Sequence, residues 1–281
     1  MQILHPNSLK DHSLLDSGDG RKLERFGGYL ISRPEPQAIW NKKLPADQWN
    51  KAQAVFIETG KWRQSSPPPR PWLFKYNELT LELKLTPYKH TGVFPEQAVN
   101  WDWISELITK SQRNPIILNL FAYTGAATLA AAAAGASVCH VDSSQPAVKW
   151  AKRNQELSNL ADKSIRWLVD DCLKFAEREV KRGVKYDGII MDPPAFGRDP
   201  TGKTFRFDRD VPKLLKLCST LLSPDPLFFL INAYNVGHSP QALKNMLADI
   251  LPPSRIQCGE LHLKQVGNDI SLPCSIFARY S

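Results

Sequence analysis

Ile116-Ile117-Leu118-Asn119-Leu120-Phe121-Ala122-Tyr123-Thr124-Gly125 opens the stretch whose reading decides the fold. An apolar run enters a turn carrying one glycine, and a helix-prone alanine run follows. Three more apolar runs follow, ending at Val141-Asp142, at Val169-Asp170-Asp171 and at Met191-Asp192-Pro193-Pro194-Ala195-Phe196. Helical patterns separate them. Strand alternating with helix predicts an α/β architecture built on a parallel sheet with helices on both faces. Acidic or glycine-turn residues fall at the carboxyl end of each of the four strands, the edge where open parallel sheets bind ligands.

Working outward, the pattern predicts a helix over about Asp208 to Leu222, a buried strand over Leu227 to Tyr234, and a helix opening near Ser239-Pro240. Two strands, Glu260 to Val266 and Ser275 to Tyr280, with a short loop between them predict an antiparallel hairpin that closes the sheet. Residues 1–90 have a different texture. They hold Trp40, Trp49, Trp62 and Trp72, a Pro67-Pro68-Pro69 break, and short strand-like pieces at Tyr29 to Ile31, Ala54 to Ile57 and Leu79 to Leu85. The expected division is a small, mostly β amino-terminal domain over 1–90, a candidate for substrate recognition, and a second domain over 91–281. That second part begins with the turn Gly92 to Gln97 and a helix from Ala98 to Thr109. At helical or strand spacing the tryptophans read as core, with base stacking as the alternative.

The chain has 281 residues, is 42% hydrophobic and carries a net charge of +8. The charge is spread evenly, with 16 basic and 12 acidic residues before position 116 and 20 and 16 after it, so no basic arm stands out. Five cysteines without C-x-x-C spacing suggest neither a disulfide framework nor a zinc site, and no histidine pair has metal spacing. A reducing cytoplasm fits that usage. Met1 to Lys10 lacks the apolar core of a signal peptide, and no run approaches the ~20 apolar residues of a membrane helix. No metal and no membrane partner are expected, and the oligomeric state is left open.

Four strand ends carry the chemistry. Gly125 is one glycine where a dinucleotide fingerprint would have three, so a nicotinamide-dependent oxidoreductase is disfavoured. Asp142 is placed either to accept from ribose hydroxyls or to cap the helix starting near Ser143-Ser144. Asp171 could accept from an adenine amine, with the next backbone amide, that of Cys172, reaching a ring nitrogen; its alternative is again a helix cap. In Asp192-Pro193-Pro194-Ala195-Phe196 two prolines cannot continue a ladder, so they fix an extended loop. There the Asp192 carboxylate and the Pro193 carbonyl could accept from a substrate amine, and Phe196 could stack a flat ring. Arg198, Lys203, Arg206 and Arg209 follow as a basic loop suited to a phosphate-bearing substrate. His140 reads as a packed residue rather than a base.

Together, Asn119 to Gly125, Asp142, Asp171 and Asp192-Pro193-Pro194 resemble the class I S-adenosylmethionine-dependent methyltransferases. With Gly92-Val93-Phe94-Pro95-Glu96-Gln97 and Asp192-Pro193-Pro194-Ala195-Phe196, the resemblance narrows to bacterial methyltransferases of large-subunit ribosomal RNA, over roughly residues 75–281. It implies a Rossmann-like seven-stranded sheet preceded by a small RNA-facing domain, S-adenosylmethionine as cofactor and RNA, ribosomal in type, as partner. It also implies a cofactor site drawn from Phe94, Gln97, Asn119, Phe121, Tyr123, Thr124, Gly125, Asp142, Ser143, Asp171, Cys172 and Asp192, with Phe94, Gln97 and the Tyr123–Gly125 turn near the methionine end. Asp192, Pro193 and Phe196 are the expected catalytic residues. Two departures matter, and the first is that no amino-terminal PUA-type RNA-binding domain of the kind many relatives have is evident in residues 1–90. Second, members that form 5-methylcytosine carry a Ser-Cys-Ser-like segment where this chain reads Ile231-Asn232-Ala233-Tyr234-Asn235. Attack at a pyrimidine carbon needs a thiolate first, so transfer to a base nitrogen without a cysteine nucleophile is expected. A protein or small-molecule amine as acceptor, and a non-catalytic RNA-binding protein that retains a cofactor pocket, are the alternatives.

Overall fold

The computed structural model describes residues 1–7, 9–198, 204–234 and 236–281, with the backbone alone for Arg198. It divides into two compact units. One unit comprises Met1–Leu4, Asn100–Leu261 and Ser275–Ser281; the other comprises His5–Val99 and His262–Cys274. The expected single cut between residues 90 and 91 therefore falls at Val99, and the chain crosses between units at both of its ends.

In chain order the elements begin with β1 (Gln2–Leu4), β2 (His12–Gly18), β3 (Arg21–Phe26), β4 (Tyr29–Pro34), a one-turn α1 (Ala46–Trp49), β5 (Ala54–Glu58), β6 (Lys61–Gln64), β7 (Leu73–Tyr76) and β8 (Leu79–Glu82). After a 3-10 turn at Pro95–Gln97 come α2 (Ala98–Ser111), β9 (Ile116–Leu120), α3 (Ala126–Ala133), β10 (Ser137–Asp142), α4 (Gln145–Leu157), β11 (Ile165–Val169), α5 (Cys172–Lys181) and β12 (Gly188–Met191). The rest comprises β13 (Phe196–Arg198), β14 (Thr204–Arg206), α6 (Phe207–Leu221), β15 (Phe228–Ala233), α7 (Pro240–Ala248), β16 (Ile256–Lys264) and β17 (Ser271–Tyr280).

The large sheet runs β1-β16-β17-β15-β12-β9-β10-β11. Its central strands β15, β12, β9, β10 and β11 are parallel, and β17 pairs antiparallel with β15. The seven expected strands are present, and β1 adds an eighth, parallel to β16. Alternation along each strand divides the side chains between two helical layers. Leu118, Leu120, Cys139, Val141, Ile189, Met191, Phe229 and Ile231 meet α5, α6 and α7 in one buried cluster. On the opposite face Trp103 of α2 lies edge-on to Phe228 at 5.5 Å, and Thr128 of α3 meets Asn119 and His140. Gly188 is required within β12, since a Cβ there would come within 2.8 Å of Ile117 Cδ1 and Phe228 Cζ.

The strand order reverses beside β9. β10 and β11 lie on one side of it, β12 and β15 on the other, so the switch-point crevice opens between β9 and β12. Register brings Ile231, Met191, Leu120, Val141 and Leu168 into one row across the five strands. The next residue on each strand gives the rim itself: Asn232, Asp192, Phe121, Asp142 and Val169.

The second unit holds a sheet ordered β2-β3-β4-β5-β6 and the hairpin β7–β8. Its core is aromatic, with Phe26, Trp72, Tyr29 and Phe74 in edge contacts. The indole N–H groups of Trp40, Trp49, Trp62 and Trp72 all donate inward, to Ser17 O, Asp16 Oδ2, Thr86 O and Phe26 O. Trp49 and Trp72 are buried and Trp40 and Trp62 half-buried, which fits the core reading of their spacing. The same unit buries charge: Glu24 accepts from Arg33 and meets His12, and Lys22 bridges Glu24 and Glu35.

Candidate active site

The turn after β9 is strained. Phe121, Tyr123 and Gly125 have φ of 55°, 49° and 86°, the left-handed region that costs about 1–2 kcal/mol per non-glycine residue. What offsets this is a set of partners beneath and beside the turn. The Asn119 amide donates to Thr128 Oγ1 at 2.9 Å, and Thr128 Oγ1 lies 2.9 Å from His140 Nδ1. The Thr124 carbonyl accepts from Asn154 at 2.9 Å, and the Phe121 amide donates to Cys172 Sγ at 3.3 Å. Asn119 and Thr124 are both buried. Gly125 has a specific packing reason beyond its φ: a Cβ would lie 2.9 Å from Ala151 Cβ on α4. His140 is fully buried against Trp167, and burial drives its pKa down to about 3, which keeps it neutral.

Asp142 holds two loops at once. Its Oδ2 accepts from the Tyr123 amide and its Oδ1 from the Ser144 amide, both at 2.8 Å. The helix cap proper is Ser144, whose Oγ accepts from Ala147 N at 3.3 Å. Burial raises the Asp142 pKa against the pull of the two amides. Each oxygen keeps a second lone pair for a ligand hydroxyl. Asp171 is the N-cap of α5, its Oδ1 accepting from Lys174 N at 2.9 Å. Both readings of that residue remain compatible, since Asp171 also lines a cleft.

That cleft is walled by Phe121, Ser143, Asp171, Cys172, Leu173, Pro194, Gly197, Thr204, Phe205 and Asp210. Counted with its open mouth, it spans about 610 Å³. Four of the expected residues, Phe121, Ser143, Asp171 and Cys172, converge there. Thr204, Phe205 and Asp210 were not foreseen. The β13–β14 pair brings the first two and α6 the third: Phe196 stands opposite Arg206, and Phe205 packs on Phe121 with ring centroids 5.1 Å apart. Phe207 N donates to Ala195 O at 3.1 Å, which fixes the start of α6 to this pair. Apolar walls beside the strand-end Asp171 suit a purine ring, which needs flat apolar contact, and Asp142, at the end of the neighbouring strand, offers acceptors for a ribose diol. The residues present therefore fit an adenosyl cofactor.

Asp192 sits at the switch point. Its amide reaches Leu120 O at 3.4 Å, its Oδ1 accepts from Asn232 Nδ2 at 3.1 Å, and Asn232 Oδ1 lies 3.5 Å from Ser275 Oγ. Burial pushes the Asp192 pKa up to about 6, against the Asn232 amide. Pro193 is buried and Phe196 is exposed. Of the basic loop, Lys203 lies outside the described residues, as does Asn235. Arg209 is tied to Asp210, with Nη2 at 2.7 Å from Oδ2, and the Arg206 side chain is exposed. Phe94 and Gln97 belong to the other unit, at the 3-10 turn, where Phe94 packs on His90 with centroids 5.1 Å apart.

All five cysteines are free and buried. Burial pushes the Cys139 thiol up to about 11 and those of Cys172, Cys218 and Cys274 above the ordinary range.

A family model for S-adenosylmethionine-dependent methyltransferases matches residues 57–248. The chain is 37% identical to the crystal structure of a SAM-dependent methyltransferase from Agrobacterium tumefaciens, with a TM-score of 0.93 over 100% of this chain and 93% of that one. The crystal structure of SMU.776 complexed with SAH shares the fold, with a TM-score of 0.75 at 18% identity over 98% of this chain and 76% of that one. Among curated proteins, ribosomal RNA large subunit methyltransferase K/L of Shewanella sp. (strain MR-4) is 35% identical over 147 residues, covering 51% of this chain. The same-named protein of Methylococcus capsulatus is 38% identical over 140 residues, 49% of this chain. The match spans about a fifth of the length of those relatives, 20% and 18%.

Proposed function

Because the chain belongs to the S-adenosylmethionine-dependent methyltransferase family and takes S-adenosylmethionine as its cofactor, we propose that it transfers the methyl group to a base nitrogen of ribosomal RNA. The carrying observation is the pairing of a carboxylate at the switch point with the lack of an available thiol: Asp192 stands beside Asn232, and every cysteine is buried. The named ribosomal RNA methyltransferases support the choice of RNA, and such a substrate places the enzyme in the cytoplasm.

The cofactor supplies an electrophilic methyl group on a sulfonium. In this reading Asp142 accepts from the ribose hydroxyls, Asp171 and the Cys172 amide meet the adenine edge, and the Tyr123–Gly125 turn borders the methionine portion. Asp192 and the Pro193 carbonyl accept from the exocyclic N–H of the target base and aim its nitrogen lone pair. Phe196, exposed beside them, stacks the base. With the cofactor bound, the aimed nitrogen would accept the methyl group in exchange for the sulfonium bond, and the ionised Asp192 carboxylate would take the surplus proton. Holding the acceptor in line is the main contribution of the chain.

The test is transfer of a labelled methyl group from S-adenosylmethionine to unmodified 23S ribosomal RNA, with the labelled nucleoside identified by mass spectrometry. Wild-type protein yields an N-methylated base, and Asp192→Asn yields at least about 100-fold less, in line with losing an orienting acid–base group. Label on carbon 5 of a pyrimidine, or on protein and not RNA, refutes the reading.

A further inference from the structure

The second unit carries two opposite faces of charge. Along β3, Lys22, Glu24 and Phe26 point one way and Arg21, Leu23 and Arg25 the other. On the first face the buried cations have carboxylate partners, Lys22 with Glu24 and Glu35, and Arg33 with Glu24. The second face is different. Among the described residues no carboxylate lies within ion-pair distance of Arg21, Arg25 or Arg63. Arg21 donates from Nε to Ser32 Oγ at 3.1 Å and from Nη2 to Ser32 O at 3.1 Å and Phe56 O at 3.0 Å. Arg25 donates to Ser13 Oγ at 2.9 Å and Gly27 O at 3.3 Å. Neutral acceptors orient these guanidiniums and leave their charge in place.

Register adds Arg63 to the same face. It stands opposite Val55, which stands opposite Ser32, which stands opposite Leu23. Directly opposed residues share a face. Arg21 already reaches Phe56 on β5, so Arg63 on edge strand β6 lies about one strand spacing, ~4.8 Å, beyond it. The charge of Arg63, after burial, is a cause of the lowered Arg21 pKa. Two like charges this close, with no acid between them, suit a dianionic or polyanionic ligand that bridges them. Exposed Lys51 follows the short helix α1 packed by Trp49 on Leu23 of the same sheet. Orientated guanidinium forks match phosphate oxygens better than mobile ammonium groups do.

We propose that the Arg21–Arg25–Arg63 face of this sheet is a docking surface for the sugar-phosphate backbone of ribosomal RNA, distinct from the cofactor cleft of the other unit. This rests on the RNA reading of the substrate.

The experiment measures affinity of the full chain, with S-adenosylmethionine present, for in vitro transcribed 23S ribosomal RNA across a salt series. Arg25 and Arg63 are exposed, so Arg25→Glu with Arg63→Glu leaves the fold intact, as circular dichroism would verify. Binding weakens by about 10-fold or more near 0.1 M salt, and the log–log salt slope becomes shallower by about 1–2, since each lost phosphate contact removes roughly 0.7–0.9. Cofactor affinity stays unchanged. Reversal of the exposed Lys152 and Lys181, an equal change in net charge on the other unit, costs less than about 3-fold. An unchanged slope, or an equal loss in the lysine control, overturns the surface while RNA binding by the wild type upholds the substrate reading. A wild type that binds cofactor but no RNA overturns both.

Discussion

Asp192 is where stability and chemistry compete. Its pKa of about 6 means that between the usual carboxylate value and pH 6 the folded chain holds a proton that the unfolded chain releases. Stability therefore falls as pH rises through that window, and above it the ionised group is a standing cost of roughly 1–3 kcal/mol, discounted for its partial exposure. Asp192→Asn keeps an acceptor for Asn232 and removes the charge. Its thermal midpoint at pH 7.5 rises relative to wild type, the difference vanishing near pH 4, while methyl transfer is lost. The wild-type rate declines as pH drops through about 6, where the protonated carboxyl stops accepting. A midpoint that falls in Asp192→Asn contradicts this account of the residue. Asp142, Asp171 and Asp192 were legible because an acid directly after an apolar run is conspicuous. The contact of the Asn119 amide with Thr128 was not legible, because a local pattern does not reveal which side chain lies beneath a turn.

At the scale of elements, the strand–helix alternation gave α2 through α7 and the parallel strands within a few residues, because long periodic segments with buried faces leave a strong pattern. The β13–β14 pair was invisible as structure. Three-residue strands carry no readable period, and Phe196-Gly197-Arg198 and Thr204-Phe205-Arg206 read as a basic loop. Yet this pair supplies a wall of the cleft. Phe205→Ala removes the ring that faces Phe121, and an aromatic contact of this kind is worth about 0.5–1.5 kcal/mol. Calorimetry is expected to show S-adenosylmethionine binding weakened by roughly 2–10-fold, with turnover at saturating cofactor nearly unchanged. Unaltered affinity would remove β14 from the cofactor site.

At the scale of the whole molecule, the chain does not obey its own linear order. Met1–Leu4 adds an edge strand to the large sheet, and His262–Cys274 joins the β-rich unit. Neither was legible, since β1 is three largely exposed residues and the other exchange depends on partners far away in sequence. The buried ionic cluster of Lys22, Glu24, Arg33 and Glu35 was equally hidden: a run such as Arg21-Lys22-Leu23-Glu24-Arg25 reads as solvated until the fold buries one side of it. What the sequence did carry to this scale is the gathering of strand ends into one rim. A crystal structure of the protein with S-adenosylmethionine tests that rim most directly. The account predicts ribose hydroxyls on the Asp142 carboxylate, the purine against Phe205 beside Asp171, and the sulfonium methyl turned toward Asp192; a cofactor lodged elsewhere, or one whose methyl points away from Asp192, contradicts it.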